Sequence, residues 1–128
     1  MILKDTHYIK EFSRYYIPGV EKVVIRSVVL PGLTEEDLFL FEYDYETYNF
    51  DINFNLAGQV CKVIKYKSEK KDISRTYIFD YDSLDRPTSF TELYGDEAEH
   101  NLTSTITYDD KGRVVARKQS SSGFLYNY

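Results

Sequence analysis

One heptapeptide pattern decides how this chain folds: it reads YDSLDRP at residues 81–87 and YDDKGRV at residues 108–114. An earlier and more degenerate copy, FNLAGQV, occupies residues 54–60, so the copies start at residues 54, 81 and 108 with a constant spacing of 27. Each copy begins with an aromatic residue and Asp or Asn, and a long polar residue follows four positions after the Asp or Asn. A repeat of fixed period indicates one structural unit that is used several times.

The pattern predicts a β-hairpin. An Asp or Asn side chain accepts hydrogen bonds from backbone N–H groups inside a turn, and Gly adopts the left-handed conformation that follows a type I turn. We therefore assign a structural role in the repeat turns to seven residues: Asn55, Gly58, Asp82, Arg86, Asp109, Gly112 and Arg113. Asp85 replaces Gly in the middle copy, at some energetic cost. Pro87 has no N–H, which predicts a local irregularity there and makes this hairpin the weakest of the three.

Two strands in every 27 residues leave only short connections, and short connections require antiparallel neighbours. We expect strands at residues 48–55, 59–66, 75–82, 86–94, 102–109, 113–119 and 124–128, and a further strand at 20–30 that Pro31 ends. We also expect a short helix within residues 6–17, with Thr6 as its N-cap. The sequence thus predicts one all-β domain over residues 1–128, an antiparallel meander of about seven to nine strands that forms a twisted open sheet or half-barrel. Residues 1–47 would supply N-terminal strands and the helix, and residues 48–128 the hairpins.

Composition agrees with this fold class. The 128 residues include 13 Tyr and 8 Phe but only six Gly, and large aromatic side chains favour strands. The net charge of -5 and the pI near 5.0 argue against nucleic-acid binding, which depends on clustered Lys and Arg. Neither a membrane-spanning apolar run nor a signal-peptide pattern is readable in the sequence, so, taking Met1 as the start, we expect a cytoplasmic protein that does not enter a membrane.

Catalytic and metal-binding patterns are missing from the sequence, and we expect a protein that is not an enzyme and needs no cofactor or metal. His7 and His100 lie far apart, and Cys61 is the single cysteine, which excludes an internal disulfide. The recurring Asp82 and Asp109 are explained by turn formation rather than by acid–base chemistry. No phosphate-binding loop or dinucleotide fingerprint is present.

Charge is distributed unevenly along the chain. Residues 27–61 contain seven acidic residues and no Lys or Arg, whereas residues 62–75 contain six basic residues and two acidic ones. Alternation at 39–45 places aromatic residues on one face of a strand and acids on the other, and the phase of this pattern slips at residues 46–47, which predicts a bulge or turn. The acids either solvate an outer sheet face or form a docking face for a basic partner. The candidate docking residues are Glu35, Glu36, Asp37, Glu42, Asp44 and Glu46.

The heptapeptides at 81–87 and 108–114 resemble the YD repeats of the RHS family, whose pattern is Tyr-Asp, two residues, Gly-Arg and an apolar residue. The resemblance covers residues 50–119, and residues 52–60 are a decayed copy of the pattern. In that family the repeats build long β-sheets that form a shell around a toxin domain. Three units cannot close a shell, so the resemblance implies hairpin architecture and an association with polymorphic toxin systems.

Three functions are compatible with the sequence. The first is a non-catalytic protein-interaction module, in its most concrete form a small acidic immunity-type or accessory protein that binds a basic toxin domain. The second is a ligand- or carbohydrate-binding β-module that holds a small molecule among aromatic residues, namely Tyr43, Tyr45, Phe50, Phe79, Tyr81 and Tyr108. The third is a structural RHS-like fragment without a dedicated partner. The protein would be a monomer or a dimer paired through sheet edges.

Overall fold

The computed structural model describes residues 4–26, 49–67, 72–95, 101–121 and 124–127. These residues form one helix and eight strands. In chain order the elements are α1 (Lys4–Ser13), β1 (Lys22–Ile25), β2 (Phe50–Phe54), β3 (Val60–Tyr66), β4 (Ile73–Tyr81), β5 (Pro87–Tyr94), β6 (Leu102–Tyr108), β7 (Val114–Ser121) and β8 (Phe124–Asn127).

All eight strands belong to one sheet, in which every strand pairs antiparallel with the next strand in the chain. Among the described strands, β1 and β8 each have a single neighbour, so the sheet is open. The predicted all-β antiparallel meander with one short helix is therefore confirmed.

The predicted strand positions agree with the observed ones to within one or two residues at most ends. The helix differs more, because α1 begins at Lys4 and places Thr6 inside the helix. The prediction of Thr6 as the N-cap is thus wrong, since an N-cap residue lies just outside the first helical turn. Strand β1 covers Lys22–Ile25 of the strand expected at 20–30, and residues 27–30 lie outside the described residues.

The three repeat hairpins, β2–β3, β4–β5 and β6–β7, have the same register. Equivalent pairs 27 residues apart are Phe50↔Lys65, Tyr77↔Glu92 and Ser104↔Gln119 in the strands, and Phe54↔Val60, Tyr81↔Pro87 and Tyr108↔Val114 beside the turns. The register shifts by one residue just before each turn-proximal pair, in all three hairpins. The irregularity expected at Pro87 therefore exists but is not caused by proline, because the hairpins that carry Val60 and Val114 share it.

The hydrophobic core lies between α1 and one face of the sheet. Its buried residues are Phe12, Phe50, Ile52, Phe54, Val60, Val63, Tyr77, Phe79 and Phe90. Tyr8 and Phe12 are one helical turn apart and so project from the same side of α1. The Tyr8 ring stacks on Tyr77 at 4.5 Å between centroids, and Phe12 meets the edge of Phe50 at 5.3 Å. The helix thus covers the first two hairpins.

Several predictions fall on residues that the structure does not describe. They are the aromatic and acidic strand at 39–45 and the phase slip at 46–47. Within the described residues, no helix combines the length and the apolarity needed to cross a membrane.

Candidate functional site

In a meander, successive connections alternate between the two ends of the sheet. The turns of the three repeat hairpins, β2–β3, β4–β5 and β6–β7, therefore all lie at the same end. We call residues 55–59, 82–86 and 109–113 the turn edge. In the middle turn, Asp82 Oδ1 accepts hydrogen bonds from the backbone N–H groups of Leu84 at 2.9 Å and Arg86 at 3.0 Å. Asp82 Oδ2 accepts a third hydrogen bond from Nε of Arg86 at 2.8 Å. One carboxylate therefore holds both ends of the turn.

The other two turns repeat this arrangement. Asp109 accepts from the backbone N–H groups of Lys111 and Arg113, both at 2.9 Å, and from Nε of Arg113 at 2.8 Å. In the first turn Asn55 Oδ1 accepts from the backbone N–H of Gln59 at 2.9 Å. The degenerate first copy thus keeps the backbone contact, and a 3.2 Å amide–amide hydrogen bond replaces the ion pair.

The fourth residue of each turn has a positive φ angle. The angle is 82° at Gly58, 61° at Asp85 and 80° at Gly112. This left-handed conformation disfavours residues with a Cβ atom, and Asp tolerates it better than most. The turn chemistry read from the sequence and the observed backbone agree at all three positions.

Tyrosine hydroxyls connect each hairpin to the one before it. The Tyr81 hydroxyl donates to the carbonyl oxygen of Val60, and the Tyr108 hydroxyl donates to the carbonyl oxygen of Pro87, both at 2.6 Å. Both contacts join a repeat tyrosine to the residue that opens the second strand of the preceding hairpin. Burial raises the pKa of Tyr81 to about 12, so this hydroxyl keeps its proton at neutral pH.

The long polar residue of each turn extends toward the following hairpin. Gln59 Nε2 donates to the carbonyl oxygen of Asp85 at 2.8 Å. The Arg86 guanidinium lies over the Tyr108 ring, 4.3 Å from its centroid. Arg113 occupies the equivalent position in the last hairpin, where its side chain is 72% exposed against 31% for Arg86. The turn edge therefore ends in an exposed arginine.

Hydrogen bonding keeps the turn carboxylates ionised. The backbone N–H of Arg86 is the main cause that lowers the pKa of Asp82, and its side chain and the N–H of Leu84 lower it further against a smaller effect of burial. The pKa of Asp109 is lowered in the same way by Arg113, with an added contribution from the charge of Arg86. The charge of Arg86 thus acts on the turn of the next hairpin.

The acidic residues predicted to dock a partner lie outside the described residues. These are Glu35, Glu36, Asp37, Glu42, Asp44 and Glu46. The structure does describe Asp51, the seventh acid of that segment, which is only 6% exposed. Asp51 accepts hydrogen bonds from Arg26 at 2.7 Å and from the Tyr66 hydroxyl at 2.9 Å, and Lys22 Nζ lies 3.5 Å away. This acid therefore joins β1, β2 and β3 instead of facing a partner.

The pKa of Asp51 reflects two opposing effects. Burial raises the pKa, but hydrogen bonds from Arg26 and Tyr66 and the charges of Arg26 and Lys22 outweigh burial and hold the pKa below its usual value. Asp51 is consequently ionised at neutral pH, which an ion pair between neighbouring strands requires.

A second buried polar cluster was not predicted from the sequence. Glu92 is fully buried, and its Oε1 atom lies 3.7 Å from Nη1 of Arg75. The Arg75 guanidinium lies over the ring of Tyr94 at 4.7 Å, and burial, with a hydrogen bond to Glu92, raises the pKa of Tyr94 to about 12. The alternation of side chains between the two faces of β5 could have revealed the burial of Glu92, because Glu92 lies two residues after the core residue Phe90 and therefore on the same face. With Glu92 enclosed, the cluster joins β4 to β5 and has no carboxylate open to a substrate.

Two of the residues considered for catalysis, His7 and Cys61, belong to the described part of the chain. His7 Nε2 lies 3.5 Å from a carboxylate oxygen of Glu11 on the exposed side of α1. Cys61 Sγ is 3.4 Å from the carbonyl oxygen of Asn53, and burial raises the pKa of the Cys61 thiol. His100 lies outside the described residues. In the part of the chain that the structure describes, no three His, Cys, Asp or Glu residues are grouped so that they could hold a metal ion.

The aromatic residues considered for ligand binding are divided between different environments. Phe50 and Phe79 fill the core at 3% and 2% exposure, and Tyr81 donates to the backbone of β3. Tyr43 and Tyr45 are outside the described residues. An open depression of about 730 Å³ lies at the other end of the sheet, where its lining includes Lys67, Asp72, Tyr94 and Asn101 but none of the six predicted aromatic residues.

Comparisons with known proteins identify no relative: the chain matches no family model, no curated protein and no solved structure.

Proposed function

We propose that this protein is a non-catalytic protein-interaction module built from RHS-type YD repeats. The observation that carries the proposal is the repetition of one hairpin at atomic detail, with the same register shift, the same left-handed turn residue and the same tyrosine contact to the preceding hairpin. Such a unit supplies a scaffold of turns and edges, in which Asp82 and Asp109 hold the turns together through Arg86 and Arg113.

The most concrete form of this function is an immunity-type or accessory protein of a bacterial polymorphic toxin system. Small size, a net charge of -5 and an acidic segment without Lys or Arg suit capture of a basic toxin domain, because complementary charge accelerates encounter and disfavours wrong partners. We place the docking face on Glu42, Asp44 and Glu46, since Asp51 at the end of the segment is already paired within the sheet.

Affinity capture with matched charge variants tests this proposal. The triple variant Glu42→Lys, Asp44→Lys, Glu46→Lys and the unmodified protein are used as baits in lysate of the native host, at about 50 mM and about 300 mM salt, which spans weak and strong screening. We expect the unmodified bait to retain a basic partner that elutes as salt rises, and the variant to lose it.

The control is a second triple reversal with the same change in net charge, at the exposed residues Asp72, Asp80 and Asp110. It should retain the partner. Equal capture of the partner by all three baits would reject the docking face. Equal loss of the partner in both variants would show that binding depends only on net charge.

A further inference from the structure

The last repeat hairpin presents a surface that the first two hairpins use to receive a neighbour. In those two, the carbonyl groups of Val60 and Pro87 accept a tyrosine hydroxyl from the next hairpin. Val114 is the equivalent residue in the third hairpin. Val60 is fully buried and Pro87 is partly buried, whereas Val114 is 47% exposed and the following Val115 is 60% exposed.

Arg113 is already held in the geometry that receives an aromatic ring. Its Nε donates to Asp109 at 2.8 Å, the same distance at which Nε of Arg86 donates to Asp82. Arg86 in that geometry lies over Tyr108. Because the anchoring contact is identical, Arg113 needs no rearrangement to stack on a ring in the equivalent place.

Backbone pairing also leaves room at this edge. Within the described residues, β8 pairs with β7 from Lys118 to Ser121, and the pairing does not extend to Val114 and Val115. A strand edge with exposed apolar side chains is a site where a strand from another protein can add.

We propose that the edge of β7 at residues 113–115 is a docking site for a tyrosine-bearing β-strand of a partner protein. The partner tyrosine lies under the Arg113 guanidinium and donates its hydroxyl to the carbonyl oxygen of Val114, while its apolar neighbours cover Val114 and Val115. The hydroxyl contact is present in both occupied copies of the site in this molecule, and the guanidinium over the ring is present in the second copy. The site consists of residues 113–115 and includes none of the acidic residues proposed to bind a toxin domain, so this inference does not depend on the proposed toxin partner.

Nuclear magnetic resonance titration of the full ¹⁵N-labelled chain tests the site. The probe is a synthetic peptide with the sequence of residues 101–113, which carries the tyrosine that occupies the equivalent site on the second hairpin. We expect saturable shifts of the amide signals of residues 113–115 at peptide concentrations up to about 1 mM, as a weak single-strand contact requires. The same peptide with Tyr108→Phe should bind about fivefold more weakly, because it lacks one hydrogen bond.

Receptor variants distinguish the site from general peptide adhesion. Arg113→Ala should weaken binding about threefold through loss of the cation–π contact. Arg113→Gln should retain binding within about twofold, because Gln59 occupies the equivalent position in the first hairpin and its amide donates to the backbone of the following turn. The matched control Lys111→Ala removes the same charge from the same turn and should bind as the unmodified chain does.

Three results would overturn the proposal. They are the absence of shifts at residues 113–115, equal affinity for the tyrosine and phenylalanine peptides, and shifts of these signals with protein concentration in the absence of peptide. The last result would assign the edge to a second copy of this chain. None of these outcomes bears on whether the charge variants of the acidic segment lose a basic partner, so the two proposals fail separately.

Discussion

The tyrosine hydroxyls that join successive hairpins provide a direct measure of how the repeats stabilise one another. Tyr81→Phe and Tyr108→Phe each remove one hydroxyl and keep the ring. In the unmodified protein both hydroxyls donate at 2.6 Å to a backbone carbonyl of the preceding hairpin. The two acceptors differ in burial, because Val60 is 0% exposed whereas Pro87 is only partly buried. The two substitutions should therefore cost different amounts.

The expected magnitudes follow from that difference. Loss of a neutral hydrogen bond costs about 1 kcal/mol, and a buried carbonyl left without a donor adds about 1 kcal/mol more. Tyr81→Phe should thus lower the free energy of unfolding by about 2 kcal/mol. Tyr108→Phe should lower it by about 1 kcal/mol, because water can replace the hydroxyl at a partly exposed carbonyl. Tyr16→Phe is the control, since Tyr16 is 37% exposed and packs by its ring against Phe54.

Urea unfolding followed by far-ultraviolet circular dichroism measures these costs. With a denaturant slope of about 2 kcal/mol/M, the midpoint should fall by about 1 M for Tyr81→Phe and by about 0.5 M for Tyr108→Phe, with little change for Tyr16→Phe. The reasoning is refuted if Tyr108→Phe costs as much as Tyr81→Phe, or if neither differs from the control.

The pH dependence of the same variant gives an independent check. The pKa of Tyr81 is raised to about 12 by burial, above the ordinary value of 10.0 for an unfolded chain. A folded-state pKa above the unfolded value means that the stabilisation is complete below pH 10.0 and is lost as the pH rises through about 12. The difference in stability between the unmodified protein and Tyr81→Phe should therefore shrink over that pH window.

Four further substitutions test other parts of the fold. Asp85→Gly should stabilise the protein by about 0.5 kcal/mol, measured by urea unfolding, because relief of the positive φ exceeds the entropy that Gly adds to the unfolded chain. Gly95→Ala should destabilise by about 3 kcal/mol, since its Cβ would lie 2.0 Å from the carbonyl oxygen of Ile73, whereas Gly19→Ala, at a positive φ in open space, should cost about 1 kcal/mol. In acid unfolding, the stability that Asp51 contributes should be complete above its ordinary pKa of 3.8 and lost as the pH falls through its lowered folded-state value, and Asp51→Asn should remove that dependence.

The features that depend on one residue type in one local role could be predicted from the sequence. The spacing of Asp82 and Arg86, and the Gly at 58 and 112, report turn geometry that is fixed within five residues. Strand positions follow from the turns, because antiparallel hairpins with short loops have little freedom of register.

The contacts between hairpins could not be predicted from the sequence. No local pattern shows that Arg86 lies over Tyr108 or that Tyr81 reaches Val60, since each contact depends on the lateral spacing of neighbouring strands. The burial of Glu92 was missed for a different reason. Glu92 lies in a predicted strand, and a charged residue there is normally on the exposed face. Its position two residues after Phe90 is the only local signal of its burial, and its contact with the partly exposed Arg75 depends on the pairing of β4 with β5.

The third repeat hairpin has fewer apolar residues on its inner face than the first two, although its turn has the same geometry. The core position held by Val63 and Phe90 is Arg117 in the third hairpin, and the position of Phe50 and Tyr77 is Ser104. The described ring contacts of α1 reach residues of the first two hairpins, and the third keeps Ile106 buried but has lost two of the apolar residues that would face a covering helix.

The turn geometry does not require the apolar residues on the inner face, because it depends on residues within one turn and on the neighbouring hairpin. The third hairpin keeps Ile106 buried, and it is also held by its pairing with β5 and by the contacts of Arg86 and Tyr108. A hairpin stabilised in this way gains more than the others from a further strand at its free side. That side carries Arg113 in the same anchored geometry as Arg86, so an added strand would meet this turn as Tyr108 meets the turn of the second hairpin.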